Sequence, residues 1–395
     1  MTSNQVNSVE NPASQGAAPL FSEPLYVGRP NTGDRRTFMR FVDKMFDQKW
    51  LTNNGPLVQQ FEQRIAEYLG VRHCVAMNNG TIALEIAIRA LNLNGEVIVP
   101  SYTFIATAHA LHWQGITPVF ADVDPKTHNL DPTAVRRMIT PRTTGIIGVH
   151  LWGRGAPVEE LQTIADEHGL KLLFDAAHAF GCSLKGRMIG GFGRAEVFSF
   201  HATKFFNTFE GGAIVTNDDE LADAARLMRN FGFAGVDNVI YPGTNGKMVE
   251  VCAAMGLTNL DCIEAVIETN RRNYYAYTQA LAWLPGINLI EYDEAERNNF
   301  QYIVVDVGKE CPVSRDAIVA GLQAENVHAR KYFWPGCHRM QPYRDLFPNA
   351  GIMLSETEQI ADGVLVLPTG TNVSVAAITL IAEIMKRILS ENYGK

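Results

Sequence analysis

A single lysine, Lys204, lies in surroundings that suit a reactive amine. It follows the segment AEVFSFHAT, and aromatic residues and a Gly-Gly pair come soon after it. A lysine after a strand is ordinarily a solvated surface residue. An apolar setting, however, disfavours the ammonium form and lowers the lysine pKa, which frees the amine to attack an aldehyde. The sequence therefore indicates a nucleophilic lysine at this position.

An acidic residue, Asp175, ends the apolar run LKLLF, 29 residues before Lys204. A carboxylate at the end of a buried strand is costly unless a cation or several hydrogen bonds compensate it. A buried salt bridge or a helix N-cap would explain Asp175 without a catalytic role. The functional interpretation places a positively charged group opposite this carboxylate.

Two further strand ends carry groups that could bind an anion and a planar ring. The turn MNNGT, with Gly80 and Thr81, leads from a strand into a helix. Backbone N–H groups at a helix N-terminus attract anions, although capped turns of this kind are also common without a ligand. Ser199 lies five residues before the lysine. Phe104 follows the strand GEVIV and could stack on a cofactor, although such a ring is more often core packing.

Taken together, these strand ends predict a site for pyridoxal phosphate (PLP). Gly80, Thr81 and Ser199 would bind its phosphate, and Phe104 would stack on its pyridine ring. Asp175 would pair with the ring nitrogen and keep it protonated, which makes the ring an electron sink. The predicted nucleophilic lysine would bind the aldehyde and, once released, would transfer a proton as general base and acid.

The elements that must position these residues alternate along the chain. From about residue 56, segments of helical periodicity are followed by short apolar runs, among them HCVAM, GEVIVPS, TPVFADV, TTGIIGVHLW and KLLFDAA. Continuous apolar strands between helices predict an α/β fold with a mostly parallel sheet covered on both faces. Ligands of such sheets gather at the carboxyl ends of the strands, where the residues above are found.

We expect three parts in this chain of 395 residues, of which 46% are hydrophobic. Residues 1–23 resemble a flexible polar tail without a targeting signal. Residues 24–260 form the large domain with a mostly parallel, mixed sheet, and its regular alternation of helices and strands changes after Asp175. Residues 261–395 form a smaller α+β C-terminal domain.

Composition excludes several classes of partner. The net charge of −8 and pI near 5.7 argue against binding nucleic acid or anionic membranes, which requires clustered Lys and Arg. No segment approaches the apolar length of a membrane span. The six cysteines show no zinc-ligand or disulfide-framework spacing, so we expect no metal site and a reducing, cytoplasmic location.

These motifs resemble those of the DegT/DnrJ/EryC1/StrS family of sugar aminotransferases. The similarity runs from about Leu25 to the C-terminus and is most specific in SFHATKFFNTFEGGAIVTND and FDAAHAFG. It also covers WLTNNGPLVQQFE, NNGTIALEIAIRAL, VIVPSYTFIATAHA and GTNGKMVEVCAAMGLTNLD. The resemblance implies the aspartate-aminotransferase-like (type I) PLP fold.

The resemblance also implies residue roles. Lys204 corresponds to the lysine that binds the cofactor, whereas relatives with His there dehydrate sugars instead of aminating them. His178 falls where the family has Gln or His near the cofactor ring. Asn245 resembles an asparagine that the neighbouring subunit donates to the phosphate, which implies a homodimer with shared active sites. The predicted cofactor site is Gly80, Thr81, Phe104, Asp175, His178, Ser199, Lys204 and Asn245.

Within the family, SFHATKFFNTFEGG and YFWPGCHRMQPYR are most similar to enzymes that aminate C4 of dTDP-4-keto-6-deoxy-D-glucose with L-glutamate. Their product is dTDP-4-amino-4,6-dideoxy-D-glucose. Amination at C3 of a dTDP-3-keto-6-deoxyhexose is the next alternative. A lyase or desulfurase on the same fold and a PLP-binding regulatory protein without turnover also stay open.

A sugar nucleotide would bring two phosphates to an acidic protein and would need local cations. The segment HARKYFWPGCHRM supplies them, and we expect it to bind substrate through Arg330, Tyr332 and His338. Arg330 would contact phosphate, Tyr332 would pack on sugar or base, and His338 would reach the sugar. The alternative is a solvated basic loop with a structural aromatic anchor.

Overall fold

The computed structural model describes residues 18–391. Its helices are α1 (Arg35–Gln48), α2 (Pro56–Leu69), α3 (Gly80–Ala90), α4 (Ala106–His112), α5 (Pro132–Met138), α6 (Val158–His168), α7 (Asp219–Met228), α8 (Glu250–Leu260), α9 (Ile263–Leu281), α10 (Arg315–Ala324), α11 (Tyr343–Leu346), α12 (Ser355–Gly363) and α13 (Val375–Glu391). Its strands are β1 (Leu25–Tyr26), β2 (His73–Met77), β3 (Glu96–Pro100), β4 (Thr117–Ala121), β5 (Thr143–Val149), β6 (Lys171–Asp175), β7 (Ser183–Leu184), β8 (Arg187–Met188), β9 (Ala195–Ser199), β10 (Gly212–Thr216), β11 (Ile287–Leu289), β12 (Ile303–Val307), β13 (Val327–His328) and β14 (Val364–Leu367).

The central sheet has seven strands in the order β2-β10-β9-β6-β5-β3-β4. β10 is antiparallel to both of its neighbours, and the neighbouring strands from β9 to β4 pair in parallel. The predicted mostly parallel, mixed sheet is therefore confirmed. Because β2, β3, β6 and β9 run in one direction, their carboxyl ends lie along the same edge of the sheet.

Helices cover both faces of this sheet, as continuous apolar strands require. Successive side chains of a strand point to opposite faces, and β9 shows the result. Val197 packs in the cluster that includes α3 and α7, whereas Phe198 packs in the cluster formed with α2 and α8. A further cluster beneath α5 and α6 completes the second face.

The C-terminal part is built on the antiparallel sheet β11-β12-β14, against which α9, α10 and α13 pack. Leu20 and Phe21 are buried in the same apolar cluster. The prediction of a flexible tail over residues 1–23 is thus wrong at Leu20 and Phe21, because both side chains pack in the C-terminal core. Residues 1–17 lie outside the described part of the chain.

The two parts of the chain meet within one helix. Ile263 and Ile267, in the first half of α9, pack with the large sheet, whereas Tyr274 and Tyr277 pack with the C-terminal core. β1 also pairs in parallel with β13, so the chain from residue 25 begins against the C-terminal part. The boundary predicted between residues 260 and 261 falls just before α9.

Residues 18–391 contain neither a membrane-spanning helix nor a metal-binding cluster. None of the helices there combines the length and apolarity that crossing a bilayer demands. The same residues contain no group of three or more His, Cys, Asp or Glu side chains placed to bind a metal ion.

Candidate active site

A cavity of about 620 Å³ lies at the edge where the parallel strands end. Its lining includes Gly80, Thr81, Phe104, Asp175, His178, Ser199, Lys204 and Tyr332. Segments spread over more than 250 residues of sequence therefore meet at one place. Asn245, Arg330 and His338 are outside this lining.

The turn between β2 and α3 forms a tight cradle at one end of the cavity. The Asn79 side chain accepts a hydrogen bond from the N–H of Ile82 at 2.8 Å and so caps α3, which begins at Gly80. A Cβ added to Gly80 would approach the Ser199 Cβ to 3.0 Å, so the backbone and the serine are already in contact. Helix N-terminal amides beside a hydroxyl form a donor set that suits a phosphate dianion, and the cradle fits the phosphate of PLP.

Asp175 is 6% exposed at the carboxyl end of β6. Its carboxylate accepts hydrogen bonds from the Thr107 hydroxyl at 2.9 Å and from the Ala177 N–H at 3.1 Å. Burial raises the pKa of Asp175, while these two hydrogen bonds and the Lys204 charge act in the opposite direction. Because both donors are neutral, a protonated pyridine nitrogen would supply the positive charge that a buried carboxylate needs.

Lys204 lies in the loop between β9 and β10. Its Nζ donates a hydrogen bond to the Tyr302 hydroxyl at 3.1 Å. Burial lowers the Lys204 pKa to about 8, although the negative charge of Asp175 opposes this change. Near neutral pH a useful fraction of the amine is therefore uncharged, as a nucleophile or a general base requires.

His178 stands in an aromatic wall of the cavity. Its ring stacks on Trp152 at 5.7 Å and on Phe333 at 5.9 Å. Its Nδ1 accepts a hydrogen bond from the backbone N–H of Trp152 at 3.3 Å. Burial, assisted by the Lys204 charge, lowers the pKa of His178 well below its usual value. A neutral ring whose Nδ1 accepts must carry its proton on Nε2, which can donate to a phenolic oxygen.

Phe104 follows β3 at the mouth of the cavity. Its side chain is 55% exposed and meets Phe333 edge-on at 6.3 Å. An exposed ring in this place has a face available to a ligand. Stacking on the cofactor stays a prediction.

Asn245 is exposed and does not line the cavity of its own chain. Its Oδ1 accepts a hydrogen bond from Lys247 at 2.7 Å, and its backbone oxygen accepts one from Asn78 at 3.3 Å. Within one chain, the structure therefore shows no contact between the Asn245 side chain and the large cavity. A contact with the cofactor of a neighbouring subunit stays a prediction.

Arg330 and Tyr332 line a second cavity of about 320 Å³. The Arg330 guanidinium lies over the Tyr332 ring at 4.8 Å and is exposed. This cavity shares Thr103, Phe104, Tyr332 and Phe333 with the larger one. The two spaces are therefore adjacent and are separated by aromatic side chains.

His338 does not have the position expected of a sugar ligand. It is 2% exposed, its Nδ1 is 2.7 Å from the Ser101 hydroxyl, and its Nε2 is 3.2 Å from Glu358. Both ring nitrogens are thus engaged within the protein. The predicted substrate contact is wrong for this residue, because tertiary packing buries it behind β3.

Two residues of the site were missed by the sequence analysis. Tyr302 immediately precedes β12 in the C-terminal part and contacts Lys204. Thr107 is in the first turn of α4 and contacts Asp175. Thr107 falls three residues after Phe104, within a segment already singled out. Tyr302 carries no local signal, because it is 98 residues from the lysine it contacts.

Comparison with known proteins identifies the family of this chain. The sequence profile of the DegT/DnrJ/EryC1/StrS aminotransferase family matches residues 33–386. A curated protein of Escherichia coli named dTDP-4-amino-4,6-dideoxy-D-glucose transaminase is 37% identical over 362 residues, which are 91% of this chain and 97% of that protein. GDP-perosamine synthase of Caulobacter vibrioides is 34% identical over 88% of this chain and 94% of its own.

Among solved structures, DesI in the presence of its TDP-sugar product superposes with a TM-score of 0.93 at 49% identity, and 97% of each chain is covered. Helicobacter pylori PseC, an aminotransferase of pseudoaminic acid biosynthesis, gives 0.87 at 27% identity, covering 93% of this chain and 100% of its own. The predicted fold and cofactor are thereby confirmed: the chain is a PLP-dependent aminotransferase of the DegT/DnrJ/EryC1/StrS family.

Proposed function

We propose that this protein transfers the amino group of L-glutamate to C4 of dTDP-4-keto-6-deoxy-D-glucose and so produces dTDP-4-amino-4,6-dideoxy-D-glucose. The observation that carries the proposal is the 37% identity, over nearly the whole chain, to a transaminase named for this amino sugar. The solved DesI chain, 49% identical, was crystallised with a TDP-sugar product. Both relatives favour a thymidine-linked sugar as substrate.

The residues of the large cavity support amino transfer. PLP, when bound, accepts the amino group from the donor and acts as an electron sink at the reacting carbon. The amides of Gly80 and Thr81, with the Ser199 hydroxyl, would bind its phosphate, and Asp175 would keep its ring nitrogen protonated. His178 would donate a hydrogen bond from Nε2 and so fix the orientation of the ring.

Lys204 would perform the proton transfers. Its Nζ faces the cavity and has a pKa of about 8, so it can take a proton from the donor carbon and return one during the second half of the reaction. The aromatic wall and the C-terminal part exclude much of the solvent around this amine. Exclusion of water limits the loss of the proton to bulk solvent.

The smaller cavity supports binding of a nucleotide diphosphate. Arg330 lies over the Tyr332 ring, and the Lys331 Nζ lies over the Trp334 ring at 4.5 Å. Two cations and two aromatic faces are the groups expected around a diphosphate and a pyrimidine base. With the nucleotide there, the sugar would extend past Phe104 toward Lys204.

The substrate is tested by comparing acceptors under identical conditions with L-glutamate as donor. We expect kcat/KM for dTDP-4-keto-6-deoxy-D-glucose to exceed that for the 3-keto isomer and for a GDP-linked 4-keto sugar. The GDP-linked arm is included because GDP-perosamine synthase is also a relative. Preference for the 3-keto isomer would replace the C4 assignment, and amination of none of the three would overturn the proposal.

We also propose a homodimer in which each protomer completes the active site of the other. Support comes from exposed apolar side chains next to Asn245, namely Phe231, Phe233, Val236, Val239, Ile240 and Tyr241. A patch of this kind often marks a protein interface. The described residues that line the large cavity include no arginine. A hydrogen-bond donor from the second protomer would therefore strengthen binding of the phosphate dianion.

A cytoplasmic location is part of the same proposal. All six cysteines lie in the described range, and each is a free thiol. Free thiols suit a reducing compartment, whereas disulfides accumulate in oxidising ones. Fractionation of the native cell, with detection of this chain in the cytosolic fraction, tests the location.

A further inference from the structure

Tyr302 connects the C-terminal part of the chain to the catalytic lysine. The residue is 7% exposed, and its hydroxyl oxygen is 3.1 Å from the Lys204 Nζ. Its ring packs on His178 at 4.6 Å and edge-on to Trp152 at 5.2 Å. A side chain confined by these rings holds its hydroxyl at a fixed place beside the amine.

The segment before β12 is itself firmly anchored on both sides of the site. Gln301 accepts a hydrogen bond from the N–H of Phe205 at 3.1 Å, directly after the lysine. Asn299 donates to the backbone oxygens of His178 at 2.9 Å and Phe180 at 3.1 Å. Tyr302 therefore occupies a rigid frame that also contains the lysine loop and the histidine loop.

We propose that Tyr302 is a positioning residue whose hydroxyl holds the Lys204 amine in its working place while that amine is not bound to the cofactor. In that stage the lysine would otherwise be a long side chain with several rotamers. Fixing one of them places the proton acceptor against the reacting carbon. The inference concerns the amino transfer itself and does not depend on which sugar is the substrate.

The charges around Lys204 define what the hydroxyl can contribute. The titratable groups that line the cavity with it are Asp175, His178, His201, Glu210, Tyr302 and Tyr332, and Arg330 lies over the Tyr332 ring. Burial raises the pKa of Tyr302 above its usual value, so the phenol stays neutral at working pH. Tyr302 thus supplies a hydrogen bond and no charge.

A neutral hydroxyl accepts more strongly from an ammonium group than from a neutral amine. The hydrogen bond therefore favours the charged form of Lys204 and partly offsets the effect of burial. Removing the hydroxyl alone should lower the Lys204 pKa further, by roughly one unit if the charged hydrogen bond is worth about 1.4 kcal/mol more than the neutral one.

The test uses Tyr302→Phe, which keeps the ring that packs on His178. Tyr277→Phe is the matched control, because Tyr277 is also a buried tyrosine but donates to the Pro368 backbone oxygen in the C-terminal core. Each enzyme is reconstituted with pyridoxamine phosphate, which leaves Lys204 unbound. The rate of acetylation of Lys204 by acetic anhydride, measured by peptide mass spectrometry as a function of pH, reports its pKa.

We expect the labelling profile of Tyr302→Phe to shift to lower pH by about one unit, and that of Tyr277→Phe to match the wild type. Turnover of Tyr302→Phe should fall about tenfold with KM for the acceptor little changed, because the lysine is mispositioned while substrate binding is intact. A labelling profile that coincides with the wild type would overturn the proposal.

A second measurement distinguishes loss of the Tyr302–Lys204 hydrogen bond from an unrelated change in folding. Melting temperatures of Tyr302→Phe, Lys204→Met and the double variant form a mutant cycle. We expect non-additive effects, since each single change removes the same hydrogen bond. Additive effects would show that the two side chains are not coupled and would contradict the proposal.

Discussion

Thr107 donates its hydroxyl hydrogen to Asp175 at 2.9 Å and so joins the helix after β3 to the carboxylate that ends β6. The contact orients the carboxylate without adding charge. Burial still raises the pKa of Asp175, so a cation in the cavity would stabilise its carboxylate form. The pyridinium nitrogen of the cofactor can be that cation.

Replacement of Asp175 by Asn should remove the partner of the ring nitrogen. Asn is similar in shape but carries no charge, so the nitrogen would lose its proton and the ring its electron-withdrawing power. We expect kcat to fall by about 100-fold, in line with the loss of a charged hydrogen bond of about 3 kcal/mol. Thr107→Val, which removes only a neutral hydrogen bond to Asp175, should lower kcat by a smaller factor. Equal kcat values for Asp175→Asn and the wild type would contradict the assigned role.

Gly80→Ala tests the phosphate cradle. The new Cβ would come within 3.0 Å of the Ser199 Cβ, so the cradle must widen and the affinity for PLP should fall about tenfold. Gly191→Ala is a matched control, because a Cβ there meets no atom closer than 3.6 Å. The measurement is the dissociation constant for PLP of each variant, obtained by fluorescence titration. Equal affinities for the two variants would argue against a phosphate at Gly80.

The pH dependence of amino transfer should reflect Lys204. Its pKa is lowered to about 8, so the amine is mainly protonated below that pH and mainly neutral above it. Because a general base must be neutral, the half-reaction from the pyridoxamine form should quicken about tenfold per pH unit up to about pH 8 and then level off. Single-turnover rates between pH 6 and pH 9.5 provide the profile. A rate that declines across this range would mean that another group is the base.

Substitutions of Arg330 and His338 should have different effects, although both residues belong to the segment HARKYFWPGCHRM. Arg330→Met removes a cation beside the second cavity and should raise KM for the sugar nucleotide about tenfold with little change in kcat. Arg344→Met, at an exposed arginine paired with Asp345, is the control and should have no effect on KM.

His338→Asn should act on stability, because it disturbs buried hydrogen bonds to Ser101 and Glu358. We expect a loss of about 1–3 kcal/mol in the free energy of unfolding, measured by urea denaturation, and KM for the sugar nucleotide close to the wild-type value. A raised KM with unchanged stability would restore the predicted sugar contact.

Sharing of active sites is tested by mixing two inactive variants, Lys204→Ala and Asn245→Ala. If Asn245 acts across the interface, each mixed dimer contains one intact site. Random reassortment would then restore about one quarter of the wild-type activity, since half of the dimers are mixed and one of their two sites works. Mixed dimers verified by mass spectrometry that remain inactive would contradict sharing.

The sequence was informative where the chemistry lies in short segments after strands. Lys204, Asp175 and Ser199 each follow an apolar run, and parallel strands bring such ends together. Tyr302 could not be found this way, because its place depends on how the C-terminal part packs on the large sheet. Likewise, the burial of His338 depends on Ser101 and Glu358, which no pattern around the histidine indicates.

The tail prediction failed for a related reason. Leu20 and Phe21 are two apolar residues in a polar stretch, too few to show periodicity. They nevertheless pack with residues of α9 and α13, more than 250 positions away. Contacts of such long range depend on the tertiary fold and not on local preference.

Amino transfer to C4 through Lys204 can be followed by tracing the nitrogen atom from donor to product. The wild-type enzyme is incubated with [15N]glutamate and dTDP-4-keto-6-deoxy-D-glucose, and the product is examined by NMR. We expect 15N bonded to C4 of a dTDP-4-amino-4,6-dideoxyhexose with the wild-type enzyme, and no labelled product with Lys204→Ala. Nitrogen at another carbon, or label transferred equally well by the variant, would contradict amino transfer to C4 through Lys204.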